Sequence, residues 1–245
     1  MHVLITRPIE DAEPLRSRIE ALGCRVTVAP LIEIVSNDIP VDVVDGATGL
    51  IATSRNALAA LAASPALPLA IKRTLYVVGP GTASVAREMG FQDVVEGAGR
   101  AEDLVPVLSG KHSAADRLIY LRGDVVAFDL EAALAKDHVN IVPVIAYRSV
   151  AVGALPPDVL KGLEAADIDA VTLMSPRTAR VWSQLVSTSA SPVQLSGLTY
   201  LCLSERVAEA LGPTAKADKV RVASHPNLDE MLALIKRLAA SSKAE

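Results

Sequence analysis

Residues 76 to 92 set an apolar run, a glycine-bounded break and a helix-patterned segment directly in series. Tyr76 to Val78 reads as a short strand, Gly79 to Gly81 as a tight turn, and Thr82 onward as a helix with Val85, Ala86 and Met89 on one face. A strand that turns at once into a helix leaves the first helical N–H groups without partners, at the positive end of the helix dipole. Such a corner suits an anion. Taken alone, the two glycines need do no more than permit the turn; the weight of the feature lies in its recurrence along the chain.

Val3 to Thr6 is strand-like and precedes a helix that Asp11 can cap, with Ala12, Leu15, Ile19 and Leu22 on one side and Gly23 at its end. Arg25 to Ala29 is a second strand, and Leu31 to Val35, beyond Pro30, reads as a connector. Gly49 to Thr53 leads to Ser54, a helix cap, and Leu118 to Leu121 leads to Arg122 and Gly123. Val139 to Val142 is strand-like, and Val144 to Ser149, beyond Pro143, forms a second connector. Ala170 to Met174 leads to Ser175-Pro176, a clear helix start. Leu198 to Leu203 leads to Ser204 and a further helix, and Asn227 with Glu230 forms a capping-box pattern before the last one. Strands alternating with helices over this length predict parallel sheets covered on both faces.

The 245 residues, 51% of them hydrophobic, suffice for two cores. A net charge of −4 with mixed signs argues against a general nucleic-acid binder, and one Trp, four Tyr and two Phe are too few for a base-stacking platform. Cys24 and Cys202 lack metal-like spacing and are expected to pack as small apolar groups, without a disulfide. The four histidines are scattered. No metal site is predicted. Met1 to Thr6 reads as a strand rather than a leader, and no apolar run is long enough for a membrane span, so a cytoplasmic protein is expected.

The chain also matches itself. Arg7 and Arg122 end first strands, Pro30 and Pro143 precede connectors, and Ser54 and Ser175 cap helices after apolar strands; Ala86 to Gly90 matches Ala208 to Gly212. All four pairs stand about half the chain apart, which predicts two copies of one unit.

Val3 to Pro8, Ile51 to Ala57, Val77 to Ala83, Leu121 to Gly123 and Val144 to Tyr147 resemble segments of the uroporphyrinogen-III synthase family, as do Leu173 to Pro176 and Cys202 to Ala208. The motifs occur in order over essentially the whole chain. The resemblance implies two parallel-sheet α/β domains, one discontinuous and flavodoxin-like, joined by a two-stranded β connector. Residues 1–33 and 151–245 would form the discontinuous domain, 38–143 the inserted one, and 34–37 and 144–150 the connecting strands.

The resemblance further implies a cyclising hydro-lyase of porphyrin and heme biosynthesis. It closes linear hydroxymethylbilane to uroporphyrinogen III, losing water and inverting the last pyrrole ring through a spiro intermediate. It implies no cofactor and a monomer, in transient contact with the preceding pathway enzyme but not with nucleic acid or membrane. Such a substrate carries its own reactivity, so the protein must mainly fold it and protonate the departing hydroxyl.

Tyr147 matches a family tyrosine bordering the cleft and is the expected proton donor or water-ordering group. Thr82 matches a family position in the first corner. Substrate carboxylates are expected to meet backbone N–H groups at helix starts in a cleft between the domains: Thr53 and Ser54, Gly79, Gly81, Thr82 and Ala83, Ser175, and Ser204. The second corner, Leu203 to Ala208, departs from the family's glycine-rich form with threonine, leaving Ser204 or Arg206 as its ligand group. Arg7 and Arg122 either pair with substrate carboxylates or form ordinary salt bridges. Two other classes are weighed. A nucleotide-binding enzyme is disfavoured because Ser84 stands where a third glycine would and no P-loop occurs. A non-catalytic ligand-binding or regulatory relative shares the fold and stays open.

Overall fold

The structure is a computed structural model that describes residues 1–189 and 195–241. Its strands are β1 (His2–Ile5), β2 (Arg25–Val28), β3 (Ile32–Ser36), β4 (Gly49–Ala52), β5 (Thr74–Val77), β6 (Val94–Glu96), β7 (Leu118–Gly123), β8 (Ile141–Ala151), β9 (Ala170–Leu173), β10 (Thr199–Cys202) and β11 (Val220–Val222). The chain divides into two compact units, residues 1–33 with 150–245, and residues 34–149.

In the discontinuous unit the sheet order is β2-β1-β9-β10-β11, and every pair is parallel. β1, β9 and β10 are buried along their whole length, which is why they read as unbroken apolar runs. Helices Ile9–Glu20 and Leu228–Ser241 cover one face, where Val3, Ile5, Leu15, Leu201 and Ile235 share a core. The predicted cap at Asn227 is present: its Oδ1 accepts from the Glu230 N–H at 2.9 Å. The first helix departs from the sequence reading. Pro8 stands at its N-cap, and Asp11 lies inside the first turn, paired with Arg7 at 3.4 Å.

In the continuous unit the order is β3-β8-β7-β4-β5-β6. Strands β8 through β6 pair in parallel. β3 runs antiparallel along β8, since Asn37 N–H donates to the Ala146 carbonyl at 2.8 Å and Val152 N–H to Leu31 at 3.1 Å. Two cores flank this sheet, one around Leu50, Leu58, Leu75 and Ile119, the other around Ile51, Leu104, Leu118 and Tyr120.

β8 does not break at Pro143, as the sequence suggests, but continues through it. Pro143 pairs with Tyr120 on β7, while β3 begins its pairing only farther along, so the side of β8 where a missing N–H would matter carries no ladder there. The helix after β5 also starts earlier than predicted, at Pro80, with Gly79 as its N-cap. Proline at the first helical position loses no hydrogen bond that a helix start would have made.

With the extra edge strand β3 set aside, the two sheets have one spatial plan. Numbered by role, each reads 2-1-3-4-5, the flavodoxin-like order. The roles are filled by β1, β2, β9, β10 and β11 in one unit and by β7, β8, β4, β5 and β6 in the other. The sequence copies are thus exchanged: each copy's first two strands complete the sheet begun by the other copy's last three.

Among the described residues, no helix is long and apolar enough to cross a membrane. No group of three His, Cys, Asp or Glu among them could hold a metal ion. Cys24 and Cys202 are buried and unpaired.

Candidate functional site

In a sheet of this order the connections leave the two central strands toward opposite faces, opening a crevice at their carboxyl ends. In the continuous unit those strands are β4 and β7. Thr53 and Ser54 follow β4, and Gly123 ends β7. A cleft of about 480 Å³ lies there, lined by Thr53, Ser54, Tyr120, Gly123 and Tyr147. Its remaining wall comes from Val78, the 99–102 loop and the 125–128 stretch.

Ser54 caps the helix Arg55–Ala62, its Oγ accepting from the Asn56 N–H at 3.1 Å. Thr53 Oγ1 lies 3.2 Å from the Tyr120 hydroxyl. Tyr120 belongs to one core and Tyr147 packs against the other, so the two phenols approach the cleft from opposite faces of the sheet. Burial pushes the Tyr120 phenol up, opposed in part by Thr53 and by the charge of Arg122, so it is held in its neutral form.

The position of Tyr147 follows from a bulge. β7 and β8 pair residue for residue as far as Arg122 with Ile145; Gly123 then pairs with Tyr147, and Ala146 is the extra residue. Paired residues of a parallel ladder share a face, so the bulge turns Tyr147 onto the strand position of Gly123. A Cβ on Gly123 would stand 2.8 Å from Tyr147 Cζ and 2.9 Å from its hydroxyl oxygen. The ring therefore rests on bare backbone. Its hydroxyl makes no hydrogen bond with any described residue.

The opening corner of the sequence is placed less directly. Gly79 is buried in extended geometry, and its absent Cβ would lie 3.4 Å from the Cα of Gly99, a residue of the cleft wall. Gly81 is an exposed first-turn residue, Thr82 is only 7% exposed, and Ala83 is fully buried in the core. The predicted residues brought into one cleft are thus Thr53, Ser54 and Tyr147; Gly79 stands just behind it.

Both arginines are already engaged. Arg122 Nε lies 2.9 Å from Glu131 and Nη1 donates to the Gly123 carbonyl at 3.0 Å, while Arg7 faces Asp11. In the discontinuous unit, Arg7 and Ser175 follow β1 and β9, the equivalent central strands. Ser175 Oγ accepts from the Thr178 N–H at 3.1 Å and lies 2.8 Å from Thr178 Oγ1. Ser204 stands at an N-cap but makes no side-chain cap bond, and Arg206 is exposed on the short helix behind it.

Sequence reasoning missed Tyr120, Arg100 and the apolar rim. Tyr120 reads as core because it is core for most of its length. Arg100 directly follows Gly99 and lines the cleft with no ion pair to any described residue. Val125, 63% exposed, and Val126 break the expectation that a loop turns its apolar side chains inward, and both line the cleft.

Comparison with known proteins bears on the family and the fold. The profile of the uroporphyrinogen-III synthase HemD family matches residues 13–233. Uroporphyrinogen-III synthetase from Helicobacter pylori superposes with a TM-score of 0.65 at 18% identity, covering 97% of this chain and 100% of that one. A mutant uroporphyrinogen III synthase from Thermus thermophilus superposes at 0.54 with 18% identity, covering 98% and 99%. At such identities the superpositions speak for the fold alone. No curated protein sequence matches the chain. The family profile spans most of the sequence, and on that ground the chain belongs to the uroporphyrinogen-III synthase family.

Proposed function

We propose that this chain closes hydroxymethylbilane to uroporphyrinogen III, releasing one water, as a cofactor-independent lyase. The observation that carries the reading is Tyr147: a phenol whose donor is not committed elsewhere in the described structure, laid on Gly123 at the mouth of the central-strand crevice. In the proposed reaction a proton reaches the substrate's hydroxymethyl oxygen, the C–O bond breaks with its electron pair on oxygen, and water leaves. The electrophilic azafulvene left behind is attacked by the far pyrrole ring. The spiro intermediate then fragments and recloses with that ring inverted. Tyr147 donates the proton or orders the water that does.

The rest of the cleft is assigned to holding and shaping. The Ser54 corner, with the Thr53–Tyr120 hydroxyl pair, takes substrate carboxylates. Arg100 supplies the side-chain cation, and the exposed valines meet the apolar faces of the pyrrole rings. Gly81 and Thr82 contribute first-turn backbone amides, while Gly79 and Ala83, joined by the Ala83 N–H donating to the Gly79 carbonyl at 3.1 Å, hold the turn in place. The equivalent corners of the discontinuous unit, with Ser175, Ser204 and Arg206, take further carboxylates, while Arg7 and Arg122, paired as they are, buttress the two crevices. The substrate's many carboxylates thus meet local positive ends rather than the net −4 of the chain.

The test is to supply hydroxymethylbilane to the purified protein and resolve the isomers formed. Uncatalysed closure leaves the last ring uninverted and gives type I, so accelerated formation of type III is the expected result. Type I alone, at the background rate, overturns the proposal and leaves a non-catalytic relative.

A further inference from the structure

The discontinuous unit contains a second hollow, at the opposite end of β10 from Ser204. It measures about 380 Å³ and lies between the last turn of the helix Pro176–Ser189, the start of β10 and the 212–219 stretch. Val186 and Tyr200, both buried, line its apolar part, together with Pro213. Thr214, Lys216 and Lys219 supply its polar part. Neither lysine has an ion pair among the described residues, and no carboxylate among them lines the hollow.

Beneath it the packing is polar and incompletely satisfied. The Tyr200 hydroxyl and the Trp182 indole N–H are both buried without a well-formed hydrogen bond. The indole lies close enough to offset part of the rise that burial imposes on the Tyr200 phenol, yet the two groups do not align as donor and acceptor. The Tyr200 hydroxyl itself is enclosed, so what Tyr200 offers to the hollow is the apolar part of its ring.

We infer that this hollow is a binding site for a small aromatic monocarboxylate, with its ring against Val186 and Tyr200 and its carboxylate at Lys216 and Lys219. The volume lies at the low end for small-molecule sites, which suits one or two rings. A linear tetrapyrrole is too large for it, so the site is distinct from the cleft at Tyr147. Two unpaired cations over an apolar floor select for a ligand with one charged end and one apolar end. Such a ligand binds only the folded unit and therefore raises its stability.

Trp182 is the chain's one tryptophan and adjoins Tyr200, so its emission reports on the site without a label. The experiment titrates the full chain with 3-phenylpropionate and with its neutral isostere 3-phenylpropionamide, reading Trp182 fluorescence and the melting temperature. Saturable binding of the carboxylate at least tenfold tighter than of the amide is expected, with loss of that preference in the variant carrying both Lys216→Gln and Lys219→Gln. Formation of uroporphyrinogen III is unaffected by that double substitution. Equal responses to acid and amide, a preference that survives removal of both lysines, or no saturation in the millimolar range would each overturn the assignment.

Discussion

Tyr147 can lie along β7 only because residue 123 has no side chain. Gly123→Ala would force the ring away by an ångström or so, since the Cβ would sit 2.8 Å from Cζ. If Tyr147 donates to the leaving hydroxyl, Tyr147→Phe lowers kcat by about a hundredfold. Gly123→Ala then lowers it substantially in the parent chain but little in the Phe variant, because the group it misplaces is already absent. A double-mutant cycle on kcat reads this directly, and additive losses would show that Gly123 acts by some other route. Arg100→Ala has a different expected pattern, a KM raised roughly tenfold with kcat little changed, as for loss of one charge-assisted contact to bound substrate. Of these residues the sequence exposed Tyr147 only through its family likeness. Gly123 and Tyr120 stayed hidden because their roles depend on a one-residue bulge at Ala146 and on a hydroxyl meeting Thr53 across two strands, neither of which leaves a periodic trace.

Helix starts behave less uniformly than their sequences suggest. Ser54 and Ser175 both accept from a first-turn N–H, whereas Ser204, with similar extended backbone, does not. Ser54→Ala should therefore cost about 1 kcal/mol in urea-induced unfolding and Ser204→Ala much less. The strand ending beside Ser204 gives a second test. Burial, reinforced by the charge of Glu205, pushes the Cys202 thiol up from 9.0 to about 12. In the unfolded chain the thiol ionises first, so its contribution to stability is full below pH 9 and falls away as the pH rises toward 12. Between pH 8 and pH 10.5 the native chain should lose more stability than Cys202→Ala does, as measured by urea midpoints. Capping at Ser54, Ser175 and Asn227 was legible because the cap needs only local spacing. The start at Pro8 was not, because Asp11 is equally suited to a cap and to the ion pair with Arg7 that it makes; nor was the unbroken β8, because tolerance of Pro143 depends on where β3 stops.

The exchange of strands between the two copies governs the molecule as a whole. Internal repetition could be read from paired residues such as Ser54 and Ser175, but which copy's strands share a sheet could not, since both groupings satisfy the same alternation of strands and helices. The structure pairs β1 with β9 and β7 with β4. A fragment of residues 34–149 keeps the five parallel strands β8, β7, β4, β5 and β6 together and is expected to melt cooperatively, as followed by circular dichroism. A fragment of residues 1–115, one full sequence copy, keeps β4 without β7 and β1 without β9, and is expected to lack that transition.

The same exchange sets an order of events on the ribosome. Val3, Leu4 and Ile5 are fully buried in the finished protein, yet their neighbours on β9 are made more than 160 residues later. The stretch from β3 to β8 can close while the amino-terminal strands still wait, so the newborn chain carries an apolar edge exposed for most of its synthesis. Slow translation beyond β8 would lengthen that exposure and favour aggregation of nascent chains, even with every contact of the final fold unchanged.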